Sequence, residues 1–125
     1  MTKQETFETS VRGVLAQGDL SYDDEGTCSC SYRGPDGRAC AAGQLIPDAE
    51  YTSEMEGEMA SRPCVKGVLE AGGHNIDLVL SLQRAHDAAT DSAVSARERL
   101  DMFIKAARNV ADDYGLDVAF LAASE

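Results

Sequence analysis

The sequence predicts a mainly α-helical domain, a bundle of four to five helices carrying one short β-hairpin near residues 28–41. Three observations lead there. Apolar residues recur three and four positions apart in several separate stretches, the period of helices that bury one face. The chain has no Trp and is only 6% aromatic, so its core must be mainly Leu, Val, Ile and Ala, which suits packed helices better than a β-sandwich. One stretch alone, Cys28 to Arg33, alternates with period two and runs into a Gly-Pro-Asp-Gly turn. At 125 residues the chain is read as a single domain spanning 1–125.

The first helix is expected over residues 3–17. Thr2 and Glu5 have capping-box spacing, Gly18 is a natural stop, and Phe7, Val11, Val14 and Leu15 share a face. Gly13 inside it costs roughly 1 kcal/mol relative to Ala, which points to a close neighbour. After an acidic loop, Gly34-Pro35-Asp36-Gly37 sets a three-residue hairpin connection with a bulge. In that register Tyr32 faces Cys40, and Cys28, Cys30, Tyr32 and Cys40 project from one side. Residues 41–46 read as a short helix or turn closed by Pro47, followed by a second acidic segment with one helical turn around residues 54–59.

Arg62-Pro63 opens a helix with Val65, Val68 and Leu69 on its buried face, ended by Gly72-Gly73. Asn75 caps the next, whose apolar face is Leu78, Val79, Leu82, Ala85, His86 and Ala89. The longest helix begins near Ser92 or at a Ser95/Glu98 capping box, buries Leu100, Phe103, Ile104, Ala107, Val110, Ala111 and Tyr114, and stops at Gly115. Val118, Phe120 and Leu121 form a tail that docks on the core.

Charge is the most unusual global feature. Twenty-two acids against eleven bases give −11. Residues 1–58 hold twelve acids and four bases, net −8, so the excess sits in the first half. Such a field repels nucleic acid and anionic membranes and attracts cationic protein surfaces. The start, Met1-Thr2-Lys3-Gln4-Glu5, shows no apolar leader, and no run is long enough to span a bilayer. The expected location is the cytoplasm.

Four cysteines invite a metal reading. Cys28, Cys30 and Cys40 could present three thiolates to zinc from one hairpin face, with Cys64, His74 or His86 as the fourth ligand. The metal candidates are thus Cys30, Cys40, Cys64 and His86. Against zinc, Cys-x-Cys is tighter than usual ligand spacing and no second close pair follows. Thiols packed as small hydrophobes, with no cofactor, are the expectation.

His86 lies in line with Val79 and Leu82 and is read as a core histidine with a buried hydrogen bond, while Gln83 and Asp87 are spaced to interact across one turn. A Cys40/His86 pair with a carboxylate is conceivable, yet nothing in the spacing selects it. No phosphate-cradling glycine loop and no basic patch with interleaved aromatics is present, so direct nucleic-acid binding is not expected. No catalytic residue is assigned; the chain is not read as an enzyme.

The block Cys30-Ser31-Tyr32-Arg33-Gly34-Pro35-Asp36-Gly37-Arg38-Ala39-Cys40-Ala41-Ala42-Gly43-Gln44-Leu45-Ile46-Pro47-Asp48, followed by Tyr51, Met55-Glu56-Gly57 and Leu82-Gln83-Arg84-Ala85-His86-Asp87, resembles a group of small bacteriophage and prophage proteins without an assigned activity. The resemblance covers most of residues 1–115, and Cys28 lies outside its block. It implies an origin in a phage or integrated element and expression in a bacterial host cell.

Together these readings favour a small acidic protein that inhibits or modulates a host protein by occupying a basic surface, as an anti-defence or anti-CRISPR-like inhibitor or nucleic-acid mimic would. The expected partner-binding residues are Asp23, Asp24, Glu25, Glu54, Glu56 and Glu58, with Arg33 beside them. The alternative is a zinc-stabilised accessory or small enzymatic module centred on the cysteine hairpin. The sequence leaves the oligomeric state open.

Overall fold

A computed structural model describes residues 2–18, 32, 39–56, 61–92 and 95–122, without the side chains of residues 53, 90–92, 96 and 122. The described chain is mainly helical. In order come α1 (Lys3–Ala16), three short 3-10 turns at Gly43–Leu45, Asp48–Glu50 and Ser53–Met55, then α2 (Pro63–Ala71), α3 (Ile76–Ser92), α4 (Ala96–Tyr114) and α5 (Ala119–Ala122).

Local chemistry sets the helix ends. At the start of α1 the Thr2 hydroxyl accepts the Glu5 N–H at 3.0 Å, and the Glu5 carboxylate accepts the Thr2 N–H at 2.9 Å. Two donors that the first turn would leave bare are satisfied reciprocally. Pro63 occupies the first turn of α2, where its missing N–H costs nothing. Asn75 accepts the Leu78 N–H at 3.0 Å ahead of α3, and Ser95 accepts the Glu98 N–H at 3.2 Å ahead of α4. The long helix therefore starts at Ser95, not Ser92. Its end is a left-handed Gly115, φ +67°, with the Leu116 N–H returned to the Ala111 carbonyl at 2.8 Å.

The main core joins α1, α3, α4 and α5. Phe7, Val11 and Val14 meet Leu78, Leu82 and Ala89 from α3 and Phe103, Ile104 and Ala107 from α4. Leu121 of α5 is fully buried here, and Phe120 packs edge-on against Phe7 with ring centroids 5.8 Å apart. Each large side chain removed from water contributes about 1.5–3 kcal/mol. A second cluster lies over α2 and the 3-10 turns, built from Tyr32, Cys40, Leu45, Ile46, Met55, Val65, Leu69 and Val79. Residues 41 and 42, on one short turn, divide between the two clusters.

The expected hairpin is corrected at the positions that can be read. Residues 28–31 and 33–38 lie outside the described part, Tyr32 is in a bend, Ala39 and Cys40 are not strand, and 41–42 form a turn. No strand occurs among the described residues. The reason is where the backbone bonds go. The Ala39 N–H donates to Gln17 Oε1 at 3.0 Å, and Gln17 Nε2 donates to the Ala39 carbonyl at 2.8 Å. The Tyr32 N–H donates to a Glu56 carboxylate oxygen at 3.0 Å. Side-chain amides and a carboxylate take the places that alternation assigned to a partner strand. Of the helical turn expected at 54–59, the described part begins in a 3-10 turn at Ser53–Met55, and residues 57–59 lie outside the described residues. No described helix is long and apolar enough to cross a membrane.

Candidate functional site

One side of α1 carries a stripe of small and polar residues, Thr6, Ser10, Gly13 and Gln17, beside its apolar stripe. Each has a partner in residues 39–44 or just past the end of α2. Ser10 donates to the Ala41 carbonyl at 2.7 Å, and Gln17 clasps Ala39 as above. Gly13 leaves room for the Gln44 side chain, whose Nε2 donates to the Ala39 carbonyl at 2.9 Å and to Gln17 Oε1 at 3.0 Å. A Cβ at position 13 would collide with the Gln44 carboxamide. From α3, Gln83 accepts the Ala42 N–H at 3.0 Å and donates to Asp87 at 2.9 Å. The expected Gln83–Asp87 contact is present.

Thr6 reaches furthest. Its hydroxyl is 2.8 Å from Nδ1 of His74, a residue only 8% exposed. The sequence at the end of α2 places that ring. Gly73 takes φ +85°, which returns the His74 N–H to the Leu69 carbonyl at 3.1 Å and the Gly73 N–H to Glu70 at 3.0 Å. The imidazole then lies over Gly72, where a Cβ would stand 3.1 Å from Cδ2 and 3.2 Å from Nε2. Burial lowers the His74 pKa below its ordinary 6.5, so the ring is neutral at pH 7. With Nδ1 committed to Thr6, Nε2 is the nitrogen left for a ligand among the described residues.

His74 stands where two recesses meet. The larger, about 520 Å³, runs between α1, the turns at 43–50 and α2. Its walls include Leu45, Ile46, Pro47, Val68 and Ala71, with Thr9, Glu50 and His74 as polar margins. Beyond His74 a second recess of about 420 Å³ is bordered by Lys66, Glu70 and Asp77. Beyond Thr9 a third, about 290 Å³, is bordered by Glu5, Glu8 and Arg12. The central recess shares Thr9 with the third and His74 with the second, so the three adjoin along one tract, apolar at its centre and charged at both ends. Glu5 is held below the usual carboxylate range by its hydrogen bonds with Thr2, and Glu8 by those from Gln4 and Arg12. Both stay ionised well into the acid range.

The acids singled out by sequence separate. Asp23, Asp24, Glu25 and Glu58, with Arg33, lie outside the described residues. Glu54 is exposed in the Ser53–Met55 turn, near the exposed Asp48 and Glu50 of the preceding turn. Glu56 is half-buried and faces inward, accepting the Tyr32 N–H and, at 2.6 Å, the Tyr51 hydroxyl.

Of the metal candidates, Cys30 lies outside the described residues. Cys40 is buried and its Sγ accepts the Gly43 N–H at 3.4 Å, while Cys64 is exposed near the start of α2. His86 is fully buried, edge-on to Phe103 with ring centroids 6.0 Å apart and Nδ1 3.7 Å from Asp87. Among the described residues no group of three or more such side chains is gathered to hold a metal. Sequence reading passed over the Thr6–His74 pair and the groove. The only signal was the small, polar stripe of α1.

No protein-family model matches this chain, and neither a curated protein nor a solved structure does.

Proposed function

We propose that this is a small acidic binding protein that modulates a bacterial host protein by covering a cationic surface on it. An inhibitor of a nucleic-acid-handling defence complex, with carboxylates standing where phosphates would, is the form that fits the charge best. The observation that carries the reading is the chain's net charge of −11, three of whose acids are displayed on ordered turns. Asp48, Glu50 and Glu54 are exposed on adjacent 3-10 turns, fixed by the bonds from Glu50 N–H to Pro47, Tyr51 N–H to Asp48 and Met55 N–H to Thr52. The Glu50 and Glu54 carboxylates make no hydrogen bond or ion pair among the described residues, so their charge is turned outward.

The test is capture from bacterial lysate with the intact chain and with the Glu50→Lys/Glu54→Lys variant. The intact chain is expected to retain a specific partner at about 0.05 M salt and release it by about 0.5 M, where the screening length falls below 5 Å. Charge reversal at the two positions should remove that partner. Recovery of the same partner by both chains would sink the reading.

A further inference from the structure

The tract that runs past Thr9 and His74 has a pattern that exposed acids alone do not explain. We infer that it receives a segment of the cationic partner in which one apolar side chain is flanked on both sides by Lys or Arg. This rests on the reading above that the partner is cationic. The central recess, walled by Leu45, Ile46, Val68 and Ala71, is apolar and has room for at least one large side chain. Carboxylates stand on either side of it: Glu5 and Glu8 past Thr9, and Glu70 and Asp77 past His74, with Glu50 on the margin. The cations there are Arg12 and Lys66, and Arg12 is already paired with Glu8 at 3.0 Å and stacked 4.7 Å from the Phe120 ring. Apolar in the middle and negative at both ends, the tract is the complement of a basic–apolar–basic segment.

His74 supplies the remaining element. Nine-tenths buried and anchored through Nδ1, it offers Nε2 to a backbone group of the bound segment. A second copy of this chain is a poor occupant because both carry −11. A small apolar molecule would fill the centre and make no use of the net negative charge at either end.

Three capped heptapeptides test this against the full-length chain in low salt, followed through backbone amide and imidazole nitrogen resonances. One is Lys-Lys-Gly-Leu-Gly-Lys-Lys, the second has Gly in place of Leu, and the third keeps Leu but has Gly in place of every Lys. The first is expected to bind at least about tenfold more tightly than either other, since seating a Leu side chain is worth that factor. Its shifts should centre on Leu45, Val68, Ala71 and the His74 ring. Ala71→Trp, at an exposed helical position, should fill the recess and abolish the preference for Leu.

Equal affinity of the first two peptides would overturn the groove while leaving a cationic partner standing. Equal affinity of the first and third would assign the groove to an uncharged apolar ligand instead. Binding of none overturns it as well, and the lysate capture then decides the wider reading separately.

Discussion

The two clusters of this protein are held by different means. Where α1 meets α3 and α4, the contact is one apolar stripe against two others, and apart from His86, which lies edge-on to Phe103, it is built from apolar side chains. Where α1 and α3 meet residues 39–46, the backbone of an irregular segment has to be satisfied by side chains. Gln17, Gln44 and Gln83 do so at Ala39 and Ala42, and Glu56 does so at Tyr32. A periodic segment needs only burial. An aperiodic one needs a named partner for each buried donor and acceptor, or the desolvation cost of about 1–3 kcal/mol per group stands uncompensated.

The contrast is broken most severely from the helical side. Phe103→Ala removes a fully buried ring from between α1, α3 and α4 and should cost about 3–5 kcal/mol. Denaturant unfolding should still be a single transition, because residues 39–46 have no fold without α1 and α3; two separate transitions would show the clusters to be independent. Gln83→Leu acts on the other side. It strands the Ala42 N–H and should cost about 1–3 kcal/mol, with hydrogen exchange at Ala42 accelerated more than at Phe103. Uniform acceleration would mean that Gln83 serves the bundle generally.

A smaller effect sharpens the comparison. Gly13→Ala ordinarily stabilises a helix by about 1 kcal/mol, but here the methyl group displaces the Gln44 carboxamide and its two bonds. The single substitution should therefore lose stability. Made on a Gln44→Ala background, it should gain about 1 kcal/mol, and equal effects on both backgrounds would rule out the coupling.

The smallest effect is the pH dependence. The His74 pKa is lowered by burial, so in the window below 6.5 the unfolded chain binds the proton more readily than the folded one. Stability should fall as pH drops from 6.5 through the folded value, in a component that His74→Phe removes. Glu5 and Glu8, both lowered, contribute stability above 4.5 that is lost only at more acid pH. The two windows are separable in a pH series of unfolding midpoints.

How much of this was legible follows from the same division. Helix ends are set within four residues, so Thr2/Glu5, Pro63, Asn75, Ser95/Glu98 and Gly115 could be read directly, and the burial stripes with them. Gly13 correctly announced a close neighbour, though nothing local named Gln44. The hairpin reading failed at Ala39 because alternation reports only which residues face a core, and not what pairs with the backbone. Glu54 and Glu56 could not be told apart by charge, since a tight turn exposes one and folds the other back on Tyr32 and Tyr51. The groove was illegible for a plainer reason. Its walls come from residues 9, 44–50 and 68–74, brought together only by tertiary packing.

The glutamine clasps give this fold a chemical weakness that its apolar core lacks. Deamidation of Gln17 would replace the NH₂ that donates to the Ala39 carbonyl with a second oxygen, setting two acceptors face to face. The same hydrolysis at Gln44 would strike the same carbonyl and add another negative charge to a chain that already has an excess. Slow ageing in solution should thus loosen residues 39–44 while the helices around Phe103 stay intact.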